Sequence, residues 1–136
     1  MSDYERTKGV AYPIEQDLLK KLGLQDAWGL ASKAENLFGY IADTFSIDVF
    51  VDYKGDDKCR YYLIYKTYNT YGKEYGDFGK SRFLTQPEQE KYIEIFKQVL
   101  PEVDGSKLKY IDYCYYNCSE APDYYVRPDA TDKEEL

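Results

Sequence analysis

The chain contains no histidine, and this absence limits its chemistry more than any motif does. Histidine is the side chain whose ordinary pKa lies between about pH 5 and 8, so the commonest acid-base group and metal ligand is missing. The three cysteines, Cys59, Cys114 and Cys118, form an odd set, which favours reduced thiols over a disulfide framework. Without an imidazole to activate a thiol or to complete a zinc site, we expect no catalytic residue, metal or cofactor.

The chain also has no long apolar run, and it has fewer basic than acidic residues. No run approaches the ~18 residues of a membrane span, and residues 1–11 are charged where a signal peptide would be apolar. The net charge is -7 and the pI about 4.7, so the mean field repels nucleic acid and anionic membranes. We therefore expect a cytoplasmic protein that binds a larger basic protein and contacts neither nucleic acid nor a membrane directly.

Tyrosine, in contrast, occupies 17 of the 136 positions. Its rigid, amphipathic ring gives a large contact area at low entropic cost, and tyrosine is enriched at recognition surfaces for that reason. The composition is that of a binding protein rather than an enzyme.

Two helices are predicted first. Pro13 suits the first helical residue of a short amphipathic helix that ends at Gly23. Asp26 is placed to cap a second helix, whose apolar stripe continues to Phe45, and Trp28 is expected in the core. The stripe comprises Ala27, Leu30, Ala31, Ala34, Leu37, Phe38, Ile41 and Phe45.

A change to period-two alternation then predicts strands. Residues 46–53 form one strand and 59–68 another, and turn residues 54–58 join them as an antiparallel hairpin. In the second strand, the alternating residues that share a face with Tyr62 include charged side chains, so this set of residues is predicted to face outward. The glycines of 69–82 predict a long hairpin loop or a mobile edge.

The C-terminal half adds one helix and further strands. Thr85 and Glu88 form a capping box that opens a helix, followed by a strand over 108–116 and a short edge strand at 124–127. Residues 1–129 are predicted to form one α+β domain, an antiparallel sheet of three to four strands with helices on one face, in the order ααββαβ. Residues 130–136 are predicted to be disordered.

Two sets of side chains are candidates for partner binding. The tyrosines of the sheet could form an aromatic contact patch, although high β propensity would also explain any single ring. The carboxylates could occupy a basic groove that normally holds phosphates, although a solvated surface would explain any one of them. The candidates are Tyr62, Tyr68, Tyr71, Tyr75, Tyr113 and Tyr115, with Asp48, Asp52, Asp56, Asp57 and Asp77.

In size, acidity and tyrosine content the chain is similar to phage anti-CRISPR and other anti-defence inhibitors, and to immunity proteins that block nuclease toxins. The resemblance implies an inhibitor that covers a basic nucleic-acid-binding or nuclease surface, with nucleic-acid mimicry as one means. The alternatives are a small enzyme or ligand-binding domain that uses tyrosine and carboxylates, and a structural homo-oligomer such as a homodimer. A local basic stripe is a further alternative, because cations concentrate at Lys54, Lys58, Arg60, Lys66, Lys73, Lys80 and Arg82.

Overall fold

The computed structural model describes residues 3–38, 45–51, 61–73, 76, 78–117 and 124–125, and shows an α+β fold. Five antiparallel strands form the sheet, and a sixth short strand pairs in parallel at its edge, in the order β4-β5-β1-β3-β2-β6. The elements are β1 (Asp3–Pro13), α1 (Gln16–Leu22), α2 (Ala27–Phe38), β2 (Phe45–Val51), β3 (Tyr61–Gly72), β4 (Phe78–Phe83), α3 (Gln86–Phe96), the 3₁₀ helix η1 (Gly105–Lys107), β5 (Lys109–Asn117) and β6 (Tyr124–Tyr125).

The N-terminal segment is the central strand of the sheet. β1 pairs antiparallel with β3 on one side and with β5 on the other. The helix predicted from Pro13 therefore starts too early, because Pro13 is the last residue of β1 and α1 begins at Gln16. This strand was not predicted because residues 1–11 are charged. The partners of its polar side chains lie on strands that are distant in the sequence, so the sequence alone did not show them.

A β-bulge interrupts the pairing of β1 with β3. Lys8 lies opposite Tyr68 while Gly9 lies opposite Lys66, so β3 contributes one extra residue at this point. A Cβ atom on Gly9 would collide with the carbonyl oxygen of Tyr65 and lie 3.1 Å from the Cα atom of Lys66. The bulge therefore depends on glycine for the close approach of the two backbones.

The helices pack on one face of the sheet, as predicted, and enclose the main core. Leu19, Leu30 and Phe96 from the three helices are buried against Val10 and Leu63 from the strands. Asp26 caps α2 by accepting a hydrogen bond from the Gly29 N–H at 3.0 Å, and Gly23 ends α1 with φ 70°. The predicted capping box of α3 is confirmed.

The second helix ends earlier than its apolar stripe suggested. α2 is described as far as Phe38, and Phe45 is the first residue of β2, so the prediction that Phe45 continues the helix is wrong. Phe45 is nevertheless buried, with its ring centroid 5.2 Å from that of Phe96. A buried aromatic satisfies both a helical and a strand pattern, and only its pairing opposite Tyr65 decides between them.

The opposite face of the sheet carries a second buried cluster formed by strand residues alone: Ala11, Tyr62, Ile64, Ile111 and Tyr113. The prediction that the set containing Tyr62 faces outward is therefore wrong. Alternation misled here because β3 is buried on both faces at this end, where its apolar residues are consecutive.

The remaining strands confirm some predictions and correct others. The pairing of β2 with β3 and the strand near 108–116 are confirmed, and β6 is an edge strand. The prediction of a long hairpin loop over 69–82 is wrong, because β3 continues to Gly72 and β4 pairs with β5, whereas the alternative prediction of an edge agrees with the position of β4 at one side of the sheet. The predicted turn 54–58 and the predicted disordered tail 130–136 lie outside the described residues. Of the helices in the described ranges, none combines the length and apolar character that crossing a bilayer requires.

Candidate interaction surface

The second half of β3 extends beyond its neighbour β2. Residues Tyr61 to Tyr65 pair with β2, whereas Lys66–Gly72 pair only with β1 in the described part of the chain. We call the outer side of Lys66–Gly72 the β3 edge. Such an edge presents backbone N–H and C=O groups in the spacing that an added strand requires.

Two exposed tyrosines flank the β3 edge. Tyr68 is 43% exposed and lies opposite Lys8, and Tyr71 is 58% exposed and lies opposite Glu5. Successive strand residues alternate between faces, so these two tyrosines, three positions apart, project from opposite faces of the sheet. A segment added along the β3 edge would therefore meet one ring on each face.

A buried polar network binds the hydroxyl of Tyr71. Glu5 is buried, and its Oε2 atom accepts a hydrogen bond from the Tyr71 hydroxyl at 3.3 Å. With the Asn69 amide nitrogen turned toward the carboxylate, that nitrogen donates to Glu5 Oε2 and to Thr7 Oγ1, each at 2.9 Å. Hydrogen bonds to a buried carboxylate are costly to leave unmade, so the network restricts where the phenol can lie.

Desolvation of the phenol, followed by the negative charge of Glu5, raises the pKa of Tyr71 above its ordinary value of 10.0. The phenol is therefore protonated at neutral pH and keeps the hydrogen that it donates to Glu5. Tyr71 offers a partner an apolar ring whose polar end is already engaged.

On the other face of the sheet, one cation lies over the Tyr68 ring and a second lies nearby in β1. The Lys8 ammonium lies 4.8 Å from the ring centroid. Arg6 pairs with the buried Asp112 carboxylate through two hydrogen bonds, of 2.9 Å from Nε and 2.6 Å from Nη2. The hydrogen bond with Asp112 raises the pKa of Arg6, so the guanidinium stays charged.

The predicted binding residues separate into three groups. Tyr68 and Tyr71 lie at the β3 edge, but the expectation of exposed rings is wrong for Tyr62 and Tyr113, which are buried together in the second cluster. Asp48 lies in β2 opposite Tyr62, and Tyr115 lies in β5 opposite Glu5. Outside the described residues are Asp52, Asp56, Asp57, Tyr75 and Asp77.

Sequence reasoning missed two other exposed aromatic groups. Trp28, expected in the core, is 52% exposed and contacts Tyr61 edge-on, with ring centroids 6.2 Å apart. Phe83 is exposed at the end of β4, and the Lys109 ammonium lies 5.0 Å from its ring centroid. The available signal was that Trp28 lies outside the apolar stripe that begins with Ala27 and continues with Leu30 and Ala31 at helical spacing.

A cleft lies at the other end of β1, between α1 and η1. It has a volume of ≈ 350 Å³, and its lining includes the buried Tyr12, whose hydroxyl accepts a hydrogen bond from the Asp104 N–H at 3.0 Å. The charged residues of the lining are Glu15, Asp17, Lys21, Glu102, Asp104 and Lys107. Carboxylates thus outnumber cations around the cleft.

Two of these charges are fixed by neighbours. The Lys107 ammonium donates to Glu15 Oε1 at 2.8 Å, and this bond raises the pKa of Lys107. Hydrogen bonds from the hydroxyl and N–H of Ser106 lower the pKa of Asp104 below its ordinary value. Asp104 is therefore ionised at neutral pH and contributes negative charge to the cleft.

Neither surface carries the groups of a metal centre or an activated thiol. No three histidine, cysteine or carboxylate side chains in the described ranges are grouped so that they could hold a metal ion. Cys114 is a buried free thiol in β5. What the described surfaces offer is contact area, hydrogen bonding and charge.

Comparisons with known proteins do not assign the chain to a family: no family model, curated protein or solved structure matches it.

Proposed function

We propose that the chain is a stoichiometric inhibitor that binds a larger protein and covers a basic nucleic-acid-binding or nuclease surface. The observation that carries the proposal is the β3 edge, an edge with no strand beside it in the described ranges and an exposed, restrained tyrosine on each face. Binding loses less conformational entropy when the contact groups are already held in place.

The charge of the whole chain supports a cationic partner. A net charge of -7 steers association toward positive surfaces and speeds encounter at low ionic strength. The β3 edge then supplies directional bonding, because a partner segment can pair with its backbone and place side chains against Tyr68 and Tyr71. Steering and anchoring are thus contributed by different parts of the molecule.

The test compares two variants of the purified chain against one basic nuclease or effector identified by affinity capture and mass spectrometry. Tyr68→Ser combined with Tyr71→Ser is expected to weaken binding about tenfold or more, with loss of inhibition. Phe83→Ser removes an equally exposed ring elsewhere and should change neither.

Inhibition should saturate at a fixed molar ratio and weaken as salt rises. Equal binding by the two variants would rule out the β3 edge as the contact. Turnover of a substrate by the chain, or unchanged activity of the captured protein, would rule out the inhibitor function.

A second candidate function is a platform for single-stranded nucleic acid, favoured by the cations around Tyr68. Lys8 and Arg6 lie on its face of the sheet, and aromatic rings next to basic side chains can stack bases. The net negative charge and the use of Arg6 by Asp112 favour a protein partner instead. Fluorescence anisotropy with a labelled oligothymidylate distinguishes the two, since only a nucleic-acid platform binds it with a Tyr68-dependent affinity.

A further inference from the structure

The β3 edge differs in charge from the edge at the other side of the sheet. There β4 is the outermost strand, and its described residues pair only with β5. β4 carries Lys80 and Arg82, and charged side chains on an edge strand oppose pairing with another chain. Beyond Lys66 the β3 edge carries no charge, because residues 67–72 are Thr-Tyr-Asn-Thr-Tyr-Gly. Threonine and tyrosine both favour strands, so the β3 edge is open to pairing with another strand.

The regular part of the β3 edge is suited to pairing with a copy of itself. The bulge ends at Tyr68 and the strand ends at Gly72, so residues 68–72 form an undistorted run whose midpoint is Thr70. When two identical strands pair antiparallel, a two-fold axis relates them, and the residue on that axis lies opposite its own copy. Only an axis at Thr70 lets the whole run take part in the pairing.

An axis at Thr70 gives favourable pairs along the run. Thr70 lies opposite Thr70 of the second copy, and threonine pairs of this kind stabilise antiparallel sheets. Tyr68 lies opposite Gly72 of the second copy, where the aromatic ring covers the glycine backbone. Asn69 lies opposite Tyr71 of the second copy, so no pair brings like charges together. The pairing also covers Tyr68 and Tyr71, which are 43% and 58% exposed in the single chain.

We infer that two copies of the chain associate by antiparallel pairing of their β3 edges about Thr70. If the proposed inhibitor function holds, this dimer is the form that cannot engage the target protein, because the pairing occupies the same edge. The net charge of -7 on each copy opposes association. Salt screens that repulsion, so the dimer becomes tighter as salt rises, whereas binding to a basic target becomes weaker.

Sedimentation velocity of the full chain measures the dimer directly, without any target protein. The wild-type chain is expected to shift from monomer to dimer as its concentration rises, and its dissociation constant is expected to fall as salt is added. Thr70→Lys and Thr70→Glu should each weaken the dimer about tenfold or more, because like charges then meet on the two-fold axis. An equimolar mixture of the two variants should associate again, since lysine then lies opposite glutamate.

Ser32→Lys is the matched control, because it adds the same charge at an exposed position of α2 and should not weaken the dimer. Three outcomes would overturn the inference. They are a wild-type chain that stays monomeric up to millimolar concentration, equal losses in Thr70→Lys and Ser32→Lys, and no association in the mixture of the two Thr70 variants.

Hydrogen exchange of the wild-type chain locates the interface without a substitution that could disturb the fold. Protection of the amides of residues 68–72 is expected to rise with concentration, and a dimer whose concentration-dependent protection lies elsewhere would overturn the pairing. None of these measurements uses a target protein. A chain that stays monomeric, yet loses inhibition in Tyr68→Ser combined with Tyr71→Ser, would overturn the dimer and leave the inhibitor function standing.

Discussion

Replacing Glu88 by glutamine should destabilise the fold in a way that depends on pH. Glu88 joins the N terminus of α3 to the end of β4. Its Oε1 atom accepts hydrogen bonds from the Thr85 N–H at 2.8 Å and from Arg82 Nη1 at 2.9 Å, and its Oε2 atom accepts one from Arg82 Nη2 at 3.0 Å. Glutamine retains one acceptor oxygen for the capping box but loses the charge and the bidentate pair with Arg82.

The magnitude follows from the pKa of this carboxyl. The hydrogen bonds from Arg82, and next the Thr85 N–H, lower the pKa of Glu88 from 4.5 to about 2. A shift of this size corresponds to roughly 3 kcal/mol at most. Since the side chain of Glu88 is 30% exposed, solvent screening reduces the effect, and we expect Glu88→Gln to lower the free energy of unfolding by about 1–2 kcal/mol at pH 7.

The lowered pKa of Glu88 determines how its contribution to stability changes with pH. Because the folded state holds Glu88 ionised at a lower pH than the unfolded state does, its contribution is complete above about pH 4.5 and is lost as the pH falls toward 2. The difference in stability between the wild-type chain and Glu88→Gln should therefore narrow across that interval.

Urea denaturation followed by far-ultraviolet circular dichroism, at a series of pH values from 7 to 2.5, measures this difference directly. Glu90→Gln is the matched control, because Glu90 lies exposed on the same helix and has no partner in the described ranges. The role of the ion pair with Arg82 would be refuted if the loss of unfolding free energy in Glu88→Gln stayed constant down to pH 2.5. It would also be refuted if Glu90→Gln lost as much unfolding free energy as Glu88→Gln.

Two further substitutions test the bulge and the network under the β3 edge. Gly9→Ala should lower the free energy of unfolding by about 2 kcal/mol or more, because its Cβ atom would collide with the Tyr65 carbonyl. Gly76→Ala is the control: a Cβ atom there would have no atom within 4 Å, so the free energy of unfolding measured in urea should not change. Glu5→Gln should lower the pKa of Tyr71 toward 10.0 by removing the adjacent negative charge, as read from ¹³C-tyrosine NMR with Tyr71→Phe to assign the signal. An unchanged Tyr71 titration would show that the carboxylate does not act on the phenol.

Local signals in the sequence were sufficient where a structure depends on neighbouring residues. The capping box of Thr85 and Glu88 identified α3, because both partners lie within one helical turn. The alternation around Ile47 identified β2, and the helix stop at Gly23 was correct because the left-handed backbone there requires glycine. Each of these features is specified within a few residues of chain.

Long-range pairing decided what the sequence could not show. β1 is a strand because β3 and β5 lie on either side of it. Two of the charges that disguised it have partners on these strands: Arg6 is paired with Asp112, and Glu5 accepts hydrogen bonds from Tyr71 and Asn69. Tyr62 and Tyr71 belong to one strand and are the same residue type. Their different exposure follows from the neighbours packed over each end of β3.

The candidate site was predicted in part for the same reason. Composition indicated a tyrosine-mediated binding protein, and Tyr68 and Tyr71 were among the candidates, but nothing local separated them from Tyr113. The cleft beside Tyr12 was not predicted, because its lining brings together α1 and η1, which lie far apart in the chain.

The sequence by itself determined the α+β class, the caps of α2 and α3, the stop of α1 at Gly23, and the excess of negative charge, because these depend on composition and on residues a few positions apart. The tertiary structure alone decided which strand is central, which tyrosines reach solvent and where the carboxylates surround a cavity. Those outcomes arise from contacts between segments far apart in the chain, and period-two alternation carries no information about which strands become neighbours.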